Sequence, residues 1–453
     1  MKRKKGRGGR RKDKAKLLTL GIMVLFVIAT VFLIICANKV SNENEKLVPK
    51  IEITLNGVTL DEVNENGKWV TYNGNDLILG SDENKYYFSN VELKGRGNAS
   101  WAMDKKSYRI KFDSKVDLLG LGKKKKWGLI SNWLDDSFMR NDLAQYIASL
   151  LTENYPIAGE FVELTIGGTD LGLYYLVNLM SVGKRGIDLR NDHGILVEID
   201  NAYCESAEVW RRSAVFGDCV VVEDAVMEDD VSEALTSFIE DYEVFEEALL
   251  KGDFEHASEV VDMESWVKYY LLSEFTSNPD AYVTSWYLYK DGDDDKIHAG
   301  LGWDFDAAFG NRNWGEWPGD FYSPREMMVR MKYVFGEKGE FGMNGGECGY
   351  KMEGRELFIS PTICYLVDMP EFRNLVKSIY TERLMKKRDN VLEYIQLRAS
   401  YIREAALGDD EIWGGDFNTE LDYLVRWVEE RFDYFDDIFI SGKIKPEIEI
   451  LEV

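Results

Sequence analysis

The chain has 453 residues, 45% hydrophobic and 13% aromatic, which suits one large globular body or two lobes and excludes a disordered chain. Its 80 acidic and 55 basic side chains give a formal net charge of −25. An acidic body argues against nucleic acid as ligand, because phosphate backbones select basic surfaces, and it suits a basic partner or simply keeps the chain soluble.

The charge is unevenly divided. Residues 1–16 hold ten Lys/Arg and one Asp, a net of +9, so the remainder carries −34. Residues 17–37 contain no charge, and 21 such residues span a bilayer as a helix. The basic flank stays on the cytoplasmic side, which places everything after Ala37 outside the cell. A cleaved signal peptide is the alternative, but the apolar run is long for one and the small-residue site near Ala37 is poor. The expected order is a basic cytoplasmic tail (1–16), a single-pass membrane anchor (17–37), a polar linker (38–50), a folded domain (51–440) and a charged tail (441–453).

From Ile51 the pattern is strand-like, with turn signals at Asn56-Gly57 and Asn73-Gly74. Lys94-Gly95-Arg96-Gly97-Asn98 follows a strand. Glycine permits close backbone approach, and successive N–H groups there can cradle an anion. Residues 105–112 then alternate, with Arg109 and Lys111 on one face and Tyr108, Ile110 and Phe112 on the other. A glycine loop followed by a cation-bearing strand is the arrangement that holds phosphates in a kinase; an edge strand guarded by Lys is the plainer reading. Four lysines at 123–126 read as solvated surface. A helix is expected from Asp136, with Asp136 or Ser137 as cap and Phe138, Leu143, Ile147, Leu150 and Leu151 as its apolar stripe. Residues 160–177 read as a hairpin turning at Gly167-Gly168, and 194–200 as a strand ending in Glu198 and Asp200.

Helices are expected from about 231 onward, at 266–275, 372–405 and 420–439, with an irregular Trp- and Gly-rich segment at 311–353. Between them lies NPDAYVTSWYLYKDGDDDKIHAGLGWDFDAAFGN, from Asn278 to Asn311. Strands at 282–290 and 297–305 around the acidic turn 291–295 predict a hairpin. Its open end carries Asp280 on one side and Asp304 and Asp306 on the other. Two such carboxylates are what phosphoryl transfer needs, one near the attacking hydroxyl and one on the Mg²⁺ that holds the phosphates. A surface hairpin with solvated acids is the alternative. A calcium loop at 291–295 fails on spacing, because Lys296 and Gly302 replace the turn Gly and the final Glu. Trp314 and Trp317 suit either a saccharide surface or core. Cys204, Cys219, Cys348 and Cys364 match no zinc spacing, and three scattered histidines exclude a zinc-protease site.

Taken in order, KGRGNASW, KKSYRIKFD, LLGLGKKKKWGLISNWLDDSFMRNDLA, LGLYYLV, SNPDAYVTSWYLYKD and WDFDAAFGN resemble the spore-coat protein H (CotH) kinase family. The resemblance implies an α+β, atypical protein-kinase-like two-lobed fold, strand-rich first and helix-rich later, with the lobes meeting near 180–190. It implies transfer of phosphate from ATP, with Mg²⁺ or Mn²⁺, to serines of a basic, serine-rich protein. Asp280 takes the catalytic position and Asp304 the metal position, with Asp306 beside it. Gly95, Arg96, Gly97 and Asn98, with Lys111 first and Lys106 second, form the ATP-binding half. Arg140 and Asn141 match a family motif without a derived role. Two departures stand out: Asn178 replaces a Glu after the apolar strand, and Pro279 precedes Asp280. The conventional kinase signatures are absent. A non-catalytic adhesion or coat scaffold on the same fold is the competing function.

Overall fold

The computed structural model describes residues 47–80, 84–97, 99–153, 155–183, 186–227, 231–314, 322–328, 349–352, 355–358 and 360–443. The apolar run 17–37 and Trp317 lie outside them, as do the side chain of Trp314 and Cys348. Among the described residues no helix is long and apolar enough to cross a membrane. Residues from Val48 onward form one compact unit.

Strands come first. β1 (Lys50–Thr54), β2 (Thr71–Gly80), β3 (Lys85–Arg96), β4 (Ser107–Asp117), β5 (Lys123–Ile130), β6 (Gly159–Ile166) and β7 (Thr169–Asn178) close a barrel in the order β1-β2-β3-β4-β5-β7-β6. The closing pair, β1 with β6, is parallel, with Ile51 opposite Leu164. Alternate residues such as Leu77, Leu93, Ile110, Trp127, Leu164 and Leu176 fill its interior. The short helix α1 (Leu60–Glu65), held by a Thr59–Glu62 capping box, was not evident in the sequence. β7 reads as a continuous apolar run because both its faces are covered. Tyr174 and Leu176 point into the barrel, while Leu173, Tyr175 and Val177 pack on the helical core.

The lysine run is a correction. Residues 123–126 open strand β5, and Lys124 is buried. The next helix, α2 (Arg140–Leu151), also starts later than expected. Phe138 takes a left-handed φ of +58°, and Asp135 rather than Asp136 accepts the N–H groups of Ser137 and Arg140.

A second sheet, order β12-β11-β8-β10-β9, combines β8 (Gly194–Ile199), β9 (Trp210–Arg212), β10 (Cys219–Ala225), β11 (Trp286–Asp291) and β12 (His298–Gly302). Cys204 and Cys219 form a disulfide, and Cys364 is a buried thiol outside it. The helices are α3 (Val231–Leu250), α4 (Phe254–Val260), α5 (Met263–Thr276), α6 (Pro361–Asp368), α7 (Pro370–Ile379), α8 (Arg388–Trp413) and α9 (Phe417–Phe439). The helix expected over 372–405 is interrupted by one wide and one tight turn at 380–387. α5 is buried on nearly every side, from Trp266 and Tyr270 to Phe275. The architecture is therefore α+β, strand-rich first and helical later.

One tie crosses from barrel to helices. Lys105 is buried, and its Nζ donates to Asp409 Oδ1 on α8 at 2.5 Å and to Leu173 O at 2.7 Å. The Leu173 N–H donates to the same carboxylate at 2.7 Å. Gly172 makes room for it, because a Cβ there would lie 2.2 Å from Asp409 Oδ1.

Candidate active site

The outer face of β3, β4 and β5 forms one wall of a cleft of about 860 Å³. Lys94 lies opposite Arg109, and Arg109 opposite Gly128, so the wall is a basic face with a gap at the glycine. The facing wall comes from the ends of β8, β10 and β11 and the loops around Asp280 and Asp304.

The glycine loop needs its glycines. A Cβ on Gly95 would meet the Trp101 ring at 2.5 Å and Lys68 Cα at 2.7 Å, and Gly97 has φ +93°. Lys68 Nζ donates to Gly97 O at 2.7 Å and pins the loop. Arg96 leaves this loop, passes over Gly128 and stacks on Trp303, its guanidinium 4.8 Å from the ring centre. Its nearest opposing charges are those of Asp304 and Glu223.

On the other wall, α5 ends at Ser277 with φ +50°, and the turn that follows holds Tyr282 at +67° and Ser285 at +53°. These are uncommon values for residues with side chains, and the surroundings hold them. Asn278 Oδ1 accepts the Asp280 N–H at 3.1 Å. Tyr282 donates to Glu274 at 3.1 Å. Glu198 Oε1 accepts from Ser285 N at 2.7 Å and from Thr284 Oγ1 at 3.2 Å. Burial first, and then the charges of Glu223 and Asp200, push the Glu198 carboxyl up to about 8.

Asp304 also sits at φ +62° and opens onto the cleft. The surrounding protein desolvates its carboxyl and raises its pKa, while Arg96 and a hydrogen bond from Asp306 pull it back. Asp306 is pushed well above the usual carboxylate range by burial, then by the charges of Asp304, Asp280 and Asp135. Burial thus raises both carboxyls, and the charge of Asp304 adds to the rise at Asp306.

Two residues from α2 hold this loop. Asn141 Oδ1 accepts the N–H of Phe305, between the two aspartates, at 3.0 Å. Asn141 Nδ2 donates to Asn132 Oδ1 at 3.2 Å. Arg140 Nε donates to Ala308 O at 2.9 Å, and the same guanidinium pairs with Asp135 and, at 2.5 Å, with Glu420 of α9. Asn311 Nδ2 ties the Asp306 carbonyl at 2.6 Å. The Arg140-Asn141 motif, which had no role in the sequence, thus supports the aspartate loop.

The cleft brings together Gly95, Arg96, Gly97, Asp280, Asp304 and Asp306. Asn98 lies outside the described residues. The two lysines expected on the phosphates lie outside the lining of this cleft. Lys106 Nζ is spent on the carbonyls of Trp101 and Met103, both at 2.9 Å. Lys111 pairs with Glu92 at 3.3 Å, two residues further along the strand than Arg109, and neither lysine lines the cleft. Arg96, already assigned to the loop, is the cation that reaches Asp304. Asn178 ties Ala158 N and Pro156 O and also lies off the cleft, so the replaced Glu leaves no gap there.

The profile of the CotH kinase protein family matches residues 93–435. The chain belongs to the CotH kinase family. The match spans the glycine loop, α2 and both aspartate turns, and leaves out β1, β2 and the Lys68-Trp69 pair. No curated protein matches the chain.

Among the described residues, no group of three His, Cys, Asp or Glu is arranged to hold a metal ion. That set is larger than Mg²⁺ requires, since this ion commonly uses one or two carboxylates and takes its other oxygens from phosphate and water. The neighbouring Asp304 and Asp306 carboxyls, both raised by burial, fit such an ion. Glu198, Asp200, Glu223 and Asn132 also line the cleft and were not assigned from sequence. The strand ending in two acids was the visible signal for Glu198 and Asp200. Glu223 follows from a bulge in β10 that no residue pattern announces.

Proposed function

We propose that this CotH-family protein is an atypical, kinase-like phosphotransferase that moves the γ-phosphoryl group of ATP to serine hydroxyls of a basic, serine-rich protein. The observation that carries the reading is convergence. Gly95–Gly97, Asp280 and Asp304, far apart in sequence, face one cleft. The barrel would serve as the nucleotide lobe and the helical part as the substrate lobe.

Asp280 accepts the proton of the serine hydroxyl. As the serine Oγ bonds to the γ-phosphorus, the bond from that phosphorus to the β,γ-bridging oxygen breaks, and ADP leaves with the electron pair. Asp304 and Asp306 would hold Mg²⁺ or Mn²⁺, which supplies counter-charge to the phosphates when bound. Arg96 and the N–H groups of the glycine loop neutralise and place the triphosphate. Burial raises both carboxyls, so protons would compete with the ion for this pair and its affinity would rise with pH.

The body belongs on the outer side of a membrane, anchored by residues 17–37. The +9 flank and the Cys204–Cys219 disulfide, a bond that persists in oxidising compartments, support this placement. The test is incubation of the purified full-length chain with labelled ATP, Mg²⁺ or Mn²⁺ and a Ser/Lys-rich peptide. Label on serine supports the proposal. Incorporation no greater than that of Asp304→Ala would leave the scaffold reading in its place.

A further inference from the structure

The cleft holds more positive charge than one nucleotide uses. Beyond Arg96 and Lys94, its basic wall continues along β4 and β5 to Lys126, Lys124 and Lys115. The end of β5 near the glycine loop is marked by Ser131, whose Oγ bonds that of Ser107, the partner of Arg96. From there back to Lys124 is roughly 23 Å of extended strand at ~3.3 Å per residue. A triphosphate seated at the glycine loop does not reach that far.

Lys124 has the chemistry of an anion receptor. It is 7% exposed, and its Nζ donates to Ser181 Oγ at 3.0 Å. Among the described residues neither it, Lys126 nor Lys115 forms an ion pair with a carboxylate. Burial and the charge of Lys115 push Lys124 down to about 8, and Asp224 offsets this only in part. Among the described residues its one hydrogen bond is to this hydroxyl, and a buried ammonium so placed gains by meeting an anion. The opposite wall carries the carboxyls of Asp200, Glu223 and Asp224, beside Glu198, whose carboxyl burial pushes up to about 8. The cleft is therefore a channel with one basic and one acidic side. Outside it, the −34 body repels anions.

We infer that Lys115, Lys124 and Lys126 form a second subsite, which binds a phosphoserine already present on the polypeptide substrate. This rests on the proposed transfer to serine-rich, basic protein. After its first transfers such a substrate carries phosphates among its lysines. The lysines suit the acidic wall and the phosphates the basic one, so earlier transfers promote later ones.

The test separates this subsite from the transfer reaction by measuring binding. A fluorescent Ser/Lys peptide, the same peptide with one phosphoserine, and a third with aspartate at that position are titrated by anisotropy into the full-length chain. The phosphopeptide is expected to bind about tenfold more tightly than the unmodified one. Lys115→Glu with Lys126→Glu, both exposed positions, removes that preference. Asp280→Asn retains it. Equal affinity of the modified and unmodified peptides for the wild type overturns the inference. So does an aspartate peptide that binds as tightly as the phosphopeptide. An unchanged preference in the double variant, or a matching loss of ATP affinity in it, also overturns it, the latter by assigning these lysines to the nucleotide. A phosphopeptide preference in a protein that transfers no label would sustain the subsite and refute the phosphotransferase.

Discussion

Asn141→Ala tests whether α2 sets the geometry of the aspartate loop. The substitution removes the acceptor of the buried Phe305 N–H, a 3.0 Å bond, and the donor to Asn132 at 3.2 Å. An orphaned buried N–H costs about 1–3 kcal/mol, and the second bond contributes about 0.5–1.5 kcal/mol. Asp304 next to it sits in left-handed backbone at φ +62°, itself uphill by about 1–2 kcal/mol for a residue with a side chain. Once the tether is gone, the loop gains by relaxing away from the position in which Asp304 faces the cleft. Taking about 2 kcal/mol as the lost preorganisation, phosphoryl transfer should fall roughly 30-fold. The assay is kcat/KM for labelled-phosphate transfer, run beside hydrogen exchange at the Phe305 amide, which should quicken. Transfer within twofold of wild type, with Phe305 exchange unchanged, would show that α2 does not set this loop.

Other substitutions divide the work of the cleft. Asp304→Ala should weaken Mg²⁺-ATP binding and abolish transfer, whereas Asp280→Asn should bind Mg²⁺-ATP normally and lose transfer alone. Their losses should not add in the double variant, and full additivity in the kinetics would assign them to separate processes. Arg96→Met should raise the KM for ATP several-fold while Lys111→Ala leaves it unchanged; the reverse pattern would return Lys111 to the nucleotide. Stability should fall as pH rises from 5 to 8.5. Buried Glu246 accepts from the Ser213 hydroxyl, and burial, then Asp218, pushes its pKa up to about 9 from 4.5. Between those values the fold holds a proton that the unfolded chain releases, a slope of up to about 1.4 kcal/mol per pH unit. Glu246→Gln should flatten the thermal-denaturation profile over that range, and an unaltered slope would mean that Glu246 ionises without cost to the fold.

Much of the strand order was legible because its turns are chemical. Gly167-Gly168 and the 291–295 turn mark hairpins that the fold contains, and the acids at the ends of the second hairpin line the cleft. Strand ends were less legible. The strand predicted from 282 begins at Trp286, because Tyr282 and Ser285 take left-handed backbone that Glu274 and Glu198 hold from elsewhere in the chain. The lysine run looked like solvated surface because local charge density says nothing about a barrel wall facing a cleft. Lys111 was favoured by strand alternation, which identifies a face but not how far along that face the cleft extends. Arg140 and Asn141 act on residues 164 or more positions away, and pairings at that range have no local signal.

The Lys105–Asp409 tie bears on how the protein is made. Leu173 and Asp409 are 236 residues apart, so every barrel strand leaves the ribosome long before the carboxylate that neutralises Lys105. Until α8 is synthesised, that ammonium can be buried only without its counter-ion, a far costlier state than leaving it in water. The barrel therefore waits, with this corner open, for the last part of the chain. A nascent chain that stalls before residue 409 exposes an unfinished corner for proteases to cut, and a barrel expressed without its helices should fail to accumulate.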